Sequence, residues 1–272
     1  MFKTQFTSTS PVGIFDSGVG GLTVMHSVSQ LMPNENIIYL GDNARLPYGT
    51  KSKETVISYS IECLKFLLKK KVKIVIVACN TASSYALPFI SRLTKIPVIG
   101  VIEPGANAAV SNTSNNHIGI IGTAGTVRSG SYARKIKRKL PEAKIYSKAC
   151  SLFVQIAEDG WADNKIAKLT AKEYLTPLRE SRIDTLIMGC THYPILKKTI
   201  SNVMGKKITL IDPGIETAKF ARAILQKKNL LNKSKKKGYR KFYVTDTPNN
   251  FHVVAERFLE EKITQVNKIK IS

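Results

Sequence analysis

The feature that most constrains this 272-residue chain is a series of short apolar, β-branched runs separated by longer helical patterns. The runs are VGIF at 12–15, IIYL at 37–40, KIVIVAC at 73–79 and IPVIGVI at 96–102, followed by IGIIG at 118–122, AKIYS at 143–147, DTLIMGC at 184–190 and ITLID at 208–212. Runs without polar alternation suit parallel strands buried on both faces, and the segments between them are long enough for crossover helices. Residues 50–71 illustrate the helical pattern, because Val56, Ile57, Ile61, Leu64, Leu67 and Leu68 fall on one face. The expected fold class is therefore α/β.

The two series of runs also resemble each other. Glu103-Pro104-Gly105 and Asp212-Pro213-Gly214 each follow an apolar run and lie 109 residues apart. Cys79 and Cys190 each end a run and lie 111 apart, while VGIF and IGII are offset by 106. Near-equal offsets in the same order predict a duplicated unit, that is, two similar doubly wound parallel-sheet domains facing each other across a cleft. The expected first domain is 1–102 plus 216–272, with a C-terminal return of helix (215–225), strand (240–245) and helix (248–260). The expected second domain is 103–215. Residues 227–238 read as an exposed loop.

Composition narrows the class further. A hydrophobic content of 43% supplies real cores and excludes disordered and fibrous chains. No window approaches the ~18 apolar residues of a membrane span, and MFKTQFTSTS lacks the apolar segment of a secretory signal, so a cytoplasmic protein is expected. Cys63, Cys79, Cys150 and Cys190 show no disulfide or zinc-ligand spacing. The formal net charge is +23. Residues 227–241 carry eight Lys/Arg and residues 134–139 carry five, and either run could contact phosphates. Removing the first run's eight charges still leaves +15, so most of the excess is spread along the chain. A lysine-biased, solvated surface is the simpler reading. Nucleic-acid binding through Lys227–Lys241 stays as the alternative.

In doubly wound folds the ligand lies beyond the carboxyl ends of the strands, and this chain places its polar residues there. Asp16-Ser17-Gly18 follows VGIF, Gly41-Asp42 follows IIYL and leads to Pro47-Tyr48-Gly49, and Cys79-Asn80-Thr81 follows KIVIVA. Thr123 to Thr126 follows IGIIG, and Cys190-Thr191-His192 follows DTLIMG. Singly, each has a plain structural explanation: Asp16, Asn80 and Thr191 suit helix N-caps, and Cys63 and Cys150 suit core packing. Together they say more. Two cysteines at equivalent strand ends would project into one cleft from opposite sides, each at a helix N-terminus that favours thiolate over thiol. A thiol of pKa about 8.5 costs roughly 2 kcal/mol to ionise at pH 7, which a helix end and one hydrogen bond largely offset. Opposed thiols suit a reaction in which one removes a proton from a carbon and the other returns it to the opposite face, which is racemisation without a cofactor. A cysteine hydrolase pair of Cys190 with His192 is the competing reading, but it leaves Cys79 without a role.

With these residues assembled, the chain resembles the glutamate racemases of the aspartate/glutamate racemase superfamily. The resemblance is carried by GIFDSGVGGLTV (13–24), YLGDNARLPYG (39–49), VACNTASS (77–84), IGTAGTV (121–127) and MGCTHYP (188–194). It implies cofactor-independent interconversion of L- and D-glutamate, supplying D-glutamate for peptidoglycan, and a homodimer. By resemblance Cys79 would deprotonate D-glutamate and Cys190 L-glutamate, one entering as thiolate and the other as thiol, with Asp16 assisting the first and His192 the second. Asp16, Ser17, Pro47, Tyr48, Gly49, Asn80, Thr81, Thr126, Thr191 and His192 match substrate-binding positions. Glu158 matches a carboxylate supporting the histidine, although a solvated helix residue is the alternative. Aspartate racemisation is the nearer functional alternative, but CNTASS and GCTHYP follow the glutamate pattern. Asn43 departs from the threonine common in the family's GDTAR segment, which bears on the loop leading to Tyr48.

Overall fold

The apolar runs become strands because each can hide side chains on both faces at once. A computed structural model describes residues 6–247, 251–263 and 265–271. In chain order the strands are β1 (Val12–Asp16), β2 (Ile37–Gly41), β3 (Ile74–Val77), β4 (Val98–Gly100), β5 (His117–Gly122), β6 (Lys144–Ala149), β7 (Thr185–Gly189), β8 (Thr209–Ile211), β9 (Arg240–Val244) and β10 (Val266–Lys268). They form a six-stranded sheet in the order β10-β9-β2-β1-β3-β4 and a four-stranded sheet in the order β6-β5-β7-β8. Every pairing is parallel. The order β2-β1-β3-β4 repeats as β6-β5-β7-β8, so the equal sequence offsets correspond to equal places in two sheets.

Side-chain alternation distributes the strands between two layers of helices. Val12, Ile14, Ile37, Tyr39, Ile74 and Ile76 pack with Leu22, Met25 and Val28 of the helix Leu22–Leu31. Phe15, Leu40, Val75 and Val77, one residue out of phase, pack with Val56, Leu64 and Leu67 of the helix Lys53–Lys69. Each fully buried apolar side chain of this kind contributes about 1.5–3 kcal/mol. The first of these clusters continues without a break into the second sheet through Ile121, Phe153, Leu186 and Met188. The two sheets are therefore joined by apolar packing as well as by the chain.

The boundaries differ from the sequence expectation in instructive places. The run 96–102 yields only a three-residue strand, because Ile102 already opens the helix Ile102–Asn112 and Pro104 sits in its first turn, where no N–H is needed. Asp212 caps the helix Pro213–Lys227, its Oδ1 accepting from Gly214 N at 2.8 Å. Strand β6 is half exposed rather than buried on both faces, since it forms the edge of the smaller sheet. Strand β10 carries no apolar run of its own and adds to β9 at the other sheet's edge. The expected helix at 248–260 is seen as Phe251–Leu259, and residues 248–250 lie outside the described residues.

The lysine-rich segment after residue 227 is irregular, with Lys233, Lys235, Lys236 and Lys237 exposed. It is anchored from beneath by one buried cation. Lys73 Nζ donates to Ser8 O at 2.5 Å and Leu230 O at 2.7 Å, and pairs with Glu35 at 2.5 Å, both charged side chains being almost fully enclosed. Glu35 Oε1 in turn accepts from Asn232 N at 2.8 Å. Replacing one member of such a pair strands the other's charge in the interior. Lys73→Met is expected to lower the unfolding free energy by about 3–5 kcal/mol in urea denaturation, whereas neutralising the exposed Lys235 should change it by less than about 0.5 kcal/mol.

Candidate active site

The strand order reverses direction between β1 and β3 in one sheet and between β5 and β7 in the other. Such switch points open a crevice at the carboxyl ends of the strands. Here one cavity of about 40 Å³ is lined by Ser17 beyond β1, Pro47, Tyr48 and Gly49 beyond β2, and Cys79, Asn80 and Thr81 beyond β3. Its opposite wall is Thr123 beyond β5, Val154, and Cys190, Thr191 and His192 beyond β7. Asp16, Thr126 and Glu158 stand one layer behind, against Ser17, Thr81 with Thr123, and His192 respectively. Gly20 permits the closure of the two walls, because a Cβ there would lie 2.5 Å from both the His192 ring and Thr191 Oγ1. Thr23 Oγ1 bridges the same seam, donating to Thr191 O at 2.8 Å.

On the first wall, Asp16 is wholly buried. Its Oδ2 accepts from Gly18 N at 3.0 Å, while Oδ1 has no partner among the described residues. Burial pushes its carboxyl up to about 6, against the opposing pull of the His192 charge and of the N–H groups of Gly18, Gly21 and Ser17. Cys79 is the N-cap of the short helix Asn80–Tyr85, its sulfur accepting from Ala82 N at 3.5 Å. The helix end does not win. Burial and the neighbouring Asp16 charge push the Cys79 thiol up to about 12, and the hydrogen bonds from Ala82 N and Ser17 offset only part of this. Desolvation thus exceeds the modest field of a helix terminus and favours the thiol at Cys79, which fits the pairing of one thiol with one thiolate that the family resemblance implies.

The second wall is built differently. Cys190 Sγ lies 3.7 Å from His192 Nδ1, and His192 Nε2 lies 2.8 Å from Glu158 Oε1. Burial disfavours the imidazolium, but the hydrogen bonds to Cys190 and Glu158 and their charges overcome it and raise His192 to about 10. Glu158, at the end of the helix Leu152–Glu158, is thus a partner of the histidine and not merely a solvated helix residue. Phe258 closes the edge of the imidazole in a T-shaped contact at 5.4 Å.

Between the walls stand neutral hydrogen-bonding groups. The hydroxyls of Thr81, Thr123 and Thr126 form a triangle with sides of 2.9, 3.1 and 3.1 Å. Thr123 is named in the sequence among the polar residues beyond the carboxyl ends of the strands but not among the positions matched to substrate binding, and the structure puts it in the cavity wall. Tyr48 matches a substrate-binding position by resemblance, and its hydroxyl donates to Asp42 Oδ2 in the interior. Asp42 also accepts from Arg45 Nε at 2.7 Å and Thr245 Oγ1 at 2.9 Å. The proton of the Tyr48 hydroxyl is therefore already engaged by Asp42. Asn43 joins this loop to the end of β9, its Oδ1 accepting from Asp246 N at 2.9 Å.

Comparison with known proteins places this geometry. Residues 19–221 match the model of the Asp/Glu/hydantoin racemase family. The chain belongs to that family. It is 48% identical over 260 residues to a glutamate racemase of Geobacter metallireducens, with 96% of each chain covered. A glutamate racemase structure from Francisella tularensis in complex with D-glutamate superposes with a TM-score of 0.91 at 40% identity, covering 97% of this chain and 98% of that one. A glutamate racemase isoform of Bacillus anthracis gives a TM-score of 0.93 at 39% identity over the same shares.

Within this family member the Glu158–His192–Cys190 chain has a measurable signature. Because His192 is raised from 6.5 to about 10 on folding, the stability it contributes is complete below about pH 6.5 and is lost as pH rises toward 10. Glu158→Gln removes one of the two charges that hold the imidazolium. The His192 pKa read by NMR titration is expected to fall by about one to three pH units, and the decline of stability between pH 6.5 and 10 should flatten in thermal melts.

Proposed function

We propose that the chain interconverts L- and D-glutamate by proton transfer between two cysteines, without a cofactor. The observation that carries this reading is that Cys79 and Cys190, at equivalent strand ends of two like-ordered sheets, line one cavity from opposite walls. Glutamate is favoured as the substrate by the glutamate racemases to which the chain is similar over nearly its whole length. Such a reaction needs a base on one face of the α-carbon and an acid on the other. With L-glutamate bound, Cys190 as thiolate takes the α-proton and becomes a thiol, leaving the electron pair on the α-carbon. Cys79 as thiol then delivers its own proton to the opposite face, giving D-glutamate and a Cys79 thiolate. The reverse direction begins with Cys79 as base.

The surroundings fit these roles. A protonated His192 beside Cys190 stabilises negative charge on that sulfur and holds a proton within reach of it. Cys79, whose thiol is favoured by burial, stands ready as the acid for the L-to-D direction. Asp16, with an unpartnered Oδ1 and a carboxyl that titrates at about 6, is placed to exchange the Cys79 proton. Asn80, Thr81, Thr123 and Thr191 offer amide and hydroxyl donors for the two carboxylates, and Ser17 an acceptor for the ammonium. The Pro47-Tyr48-Gly49 segment serves by shape and backbone. A cavity of about 40 Å³ holds only a few water positions, so glutamate enters when the walls separate and reacts when they close.

The wider setting carries over from the family. The division into 1–102 plus 216–272 and 103–215 treats each sheet with its helices as one moving body. The product supplies peptidoglycan synthesis in the cytoplasm; among the described residues no helix is long and apolar enough to cross a membrane. The active form is a homodimer. Sedimentation at assay concentrations should give a species of twice the monomer mass, and a monomer alone would remove that part of the proposal.

In deuterated water each glutamate enantiomer should yield its mirror image carrying α-deuterium. Cys79→Ala and Cys190→Ala should each lower kcat by at least about 10²–10⁴-fold, the usual contribution of a positioned acid or base. Full activity in either variant, or greater kcat/KM for aspartate, would sink the reading.

A further inference from the structure

Tyr132 belongs to no motif considered above, yet it touches the surroundings of both cysteines. It lies on the helix Ser131–Lys137 that follows β5, and it is fully enclosed. Its hydroxyl donates to Asn80 Oδ1 at 2.7 Å, across the seam between the two sheets. Its ring lies against the backbone before the other cysteine: a Cβ on Gly189 would come 3.1 Å from Tyr132 Cε2. The opposite ring edge faces the chain crossing, where a Cβ on Gly105 would lie 3.2 Å from Cε1. One side chain thus spans the residue after Cys79 and the residue before Cys190.

The hydrogen bond has a direction that matters. An asparagine amide presents an acceptor at one end and two donors at the other. A buried phenol proton must find an acceptor, and among the described residues Asn80 Oδ1 is the one it has. Turning the amide over would set its NH₂ against the phenol and leave that proton unpaired in the interior. Tyr132 therefore fixes Oδ1 toward itself and Nδ2 toward the other side, where no protein acceptor meets it among the described residues and where Asn80 lines the cavity. Since Tyr132 comes from the second sheet's half and Asn80 from the first, this orientation is imposed only when the two walls are together.

We infer that Tyr132 is a positioning residue for the reaction: through its hydrogen bond it holds the Asn80 amide with Nδ2 facing a substrate carboxylate, and does so only in the closed arrangement. The inference rests on the racemase reading for the identity of the substrate, but not for the direction of the bond. A bond made to a carboxylate equally in ground and transition states governs KM more than kcat.

Tyr132→Phe keeps the ring and removes the hydroxyl. KM for both glutamate enantiomers is expected to rise about tenfold, with kcat changed less than about threefold. In an Asn80→Ala background the same substitution should have no further effect on KM, because the two residues act as one unit. Unchanged KM with a lowered Tm, or an equal KM effect with and without Asn80, would assign Tyr132 to packing alone and overturn the inference. If the wild-type protein does not act on glutamate, the functional reading falls separately. The side-chain amide NMR resonances of Asn80 then decide: a clear shift in Tyr132→Phe upholds the orienting bond, and unaltered resonances refute it.

Discussion

Removal of water from ionisable groups between two sheets is the constraint on which the site turns. Burial is the first cause of the raised carboxyl of Asp16 and the raised thiol of Cys79. It also works against the imidazolium of His192, which survives only because Cys190 and Glu158 compensate it. The two walls are thereby made electrostatically unlike, one favouring the protonated form of its groups and the other holding a paired cation. Two chemically identical sulfurs acquire different surroundings, which is how an enzyme separates acid from base in one pocket.

That burial depends on the repeated strand order. Because β3 and β7 are equivalent central strands, the residues just beyond them arrive at the same level of the two sheets. The closure is then secured by small groups at the seam: the missing side chain of Gly20, the Thr23 hydroxyl on the Thr191 carbonyl, and the Tyr132 hydroxyl on Asn80. The shared apolar cluster behind Leu22–Leu31 supplies adhesion without direction, and these polar contacts supply direction.

Strand positions, the duplicated order and the cavity-lining residues beyond β1, β2, β3 and β7 were legible in the sequence, since continuous apolar runs and the residues ending them are local signals. What escaped was long-range. The donation of the Tyr48 hydroxyl to Asp42 depends on how the loop after β2 folds back, which no spacing encodes. Lys73 reads as the start of a strand, and its burial against Glu35, Ser8 and Leu230 joins segments far apart in the chain. Which of the two sulfurs is held as the thiol was hidden for a different reason: a helix N-cap is visible in sequence, but the depth of burial that outweighs it at Cys79 is not.

The charge of the chain and the chemistry of its site are largely separate. Among the described residues no Lys or Arg lines the central cavity, where the cation is His192, paired with Glu158. A fixed cation beside the α-carbon would bind the carboxylates as strongly before reaction as during it, lowering KM without lowering the barrier. Neutral donors held by a rigid network bind less tightly and leave the differential stabilisation to groups that face the developing charge. The basic excess is then best placed outside, where it attracts an acidic amino acid of net charge about −1 toward the cleft by long-range field. Because that field is screened over roughly 8–10 Å at physiological salt, it acts on encounter and not on the proton transfers within.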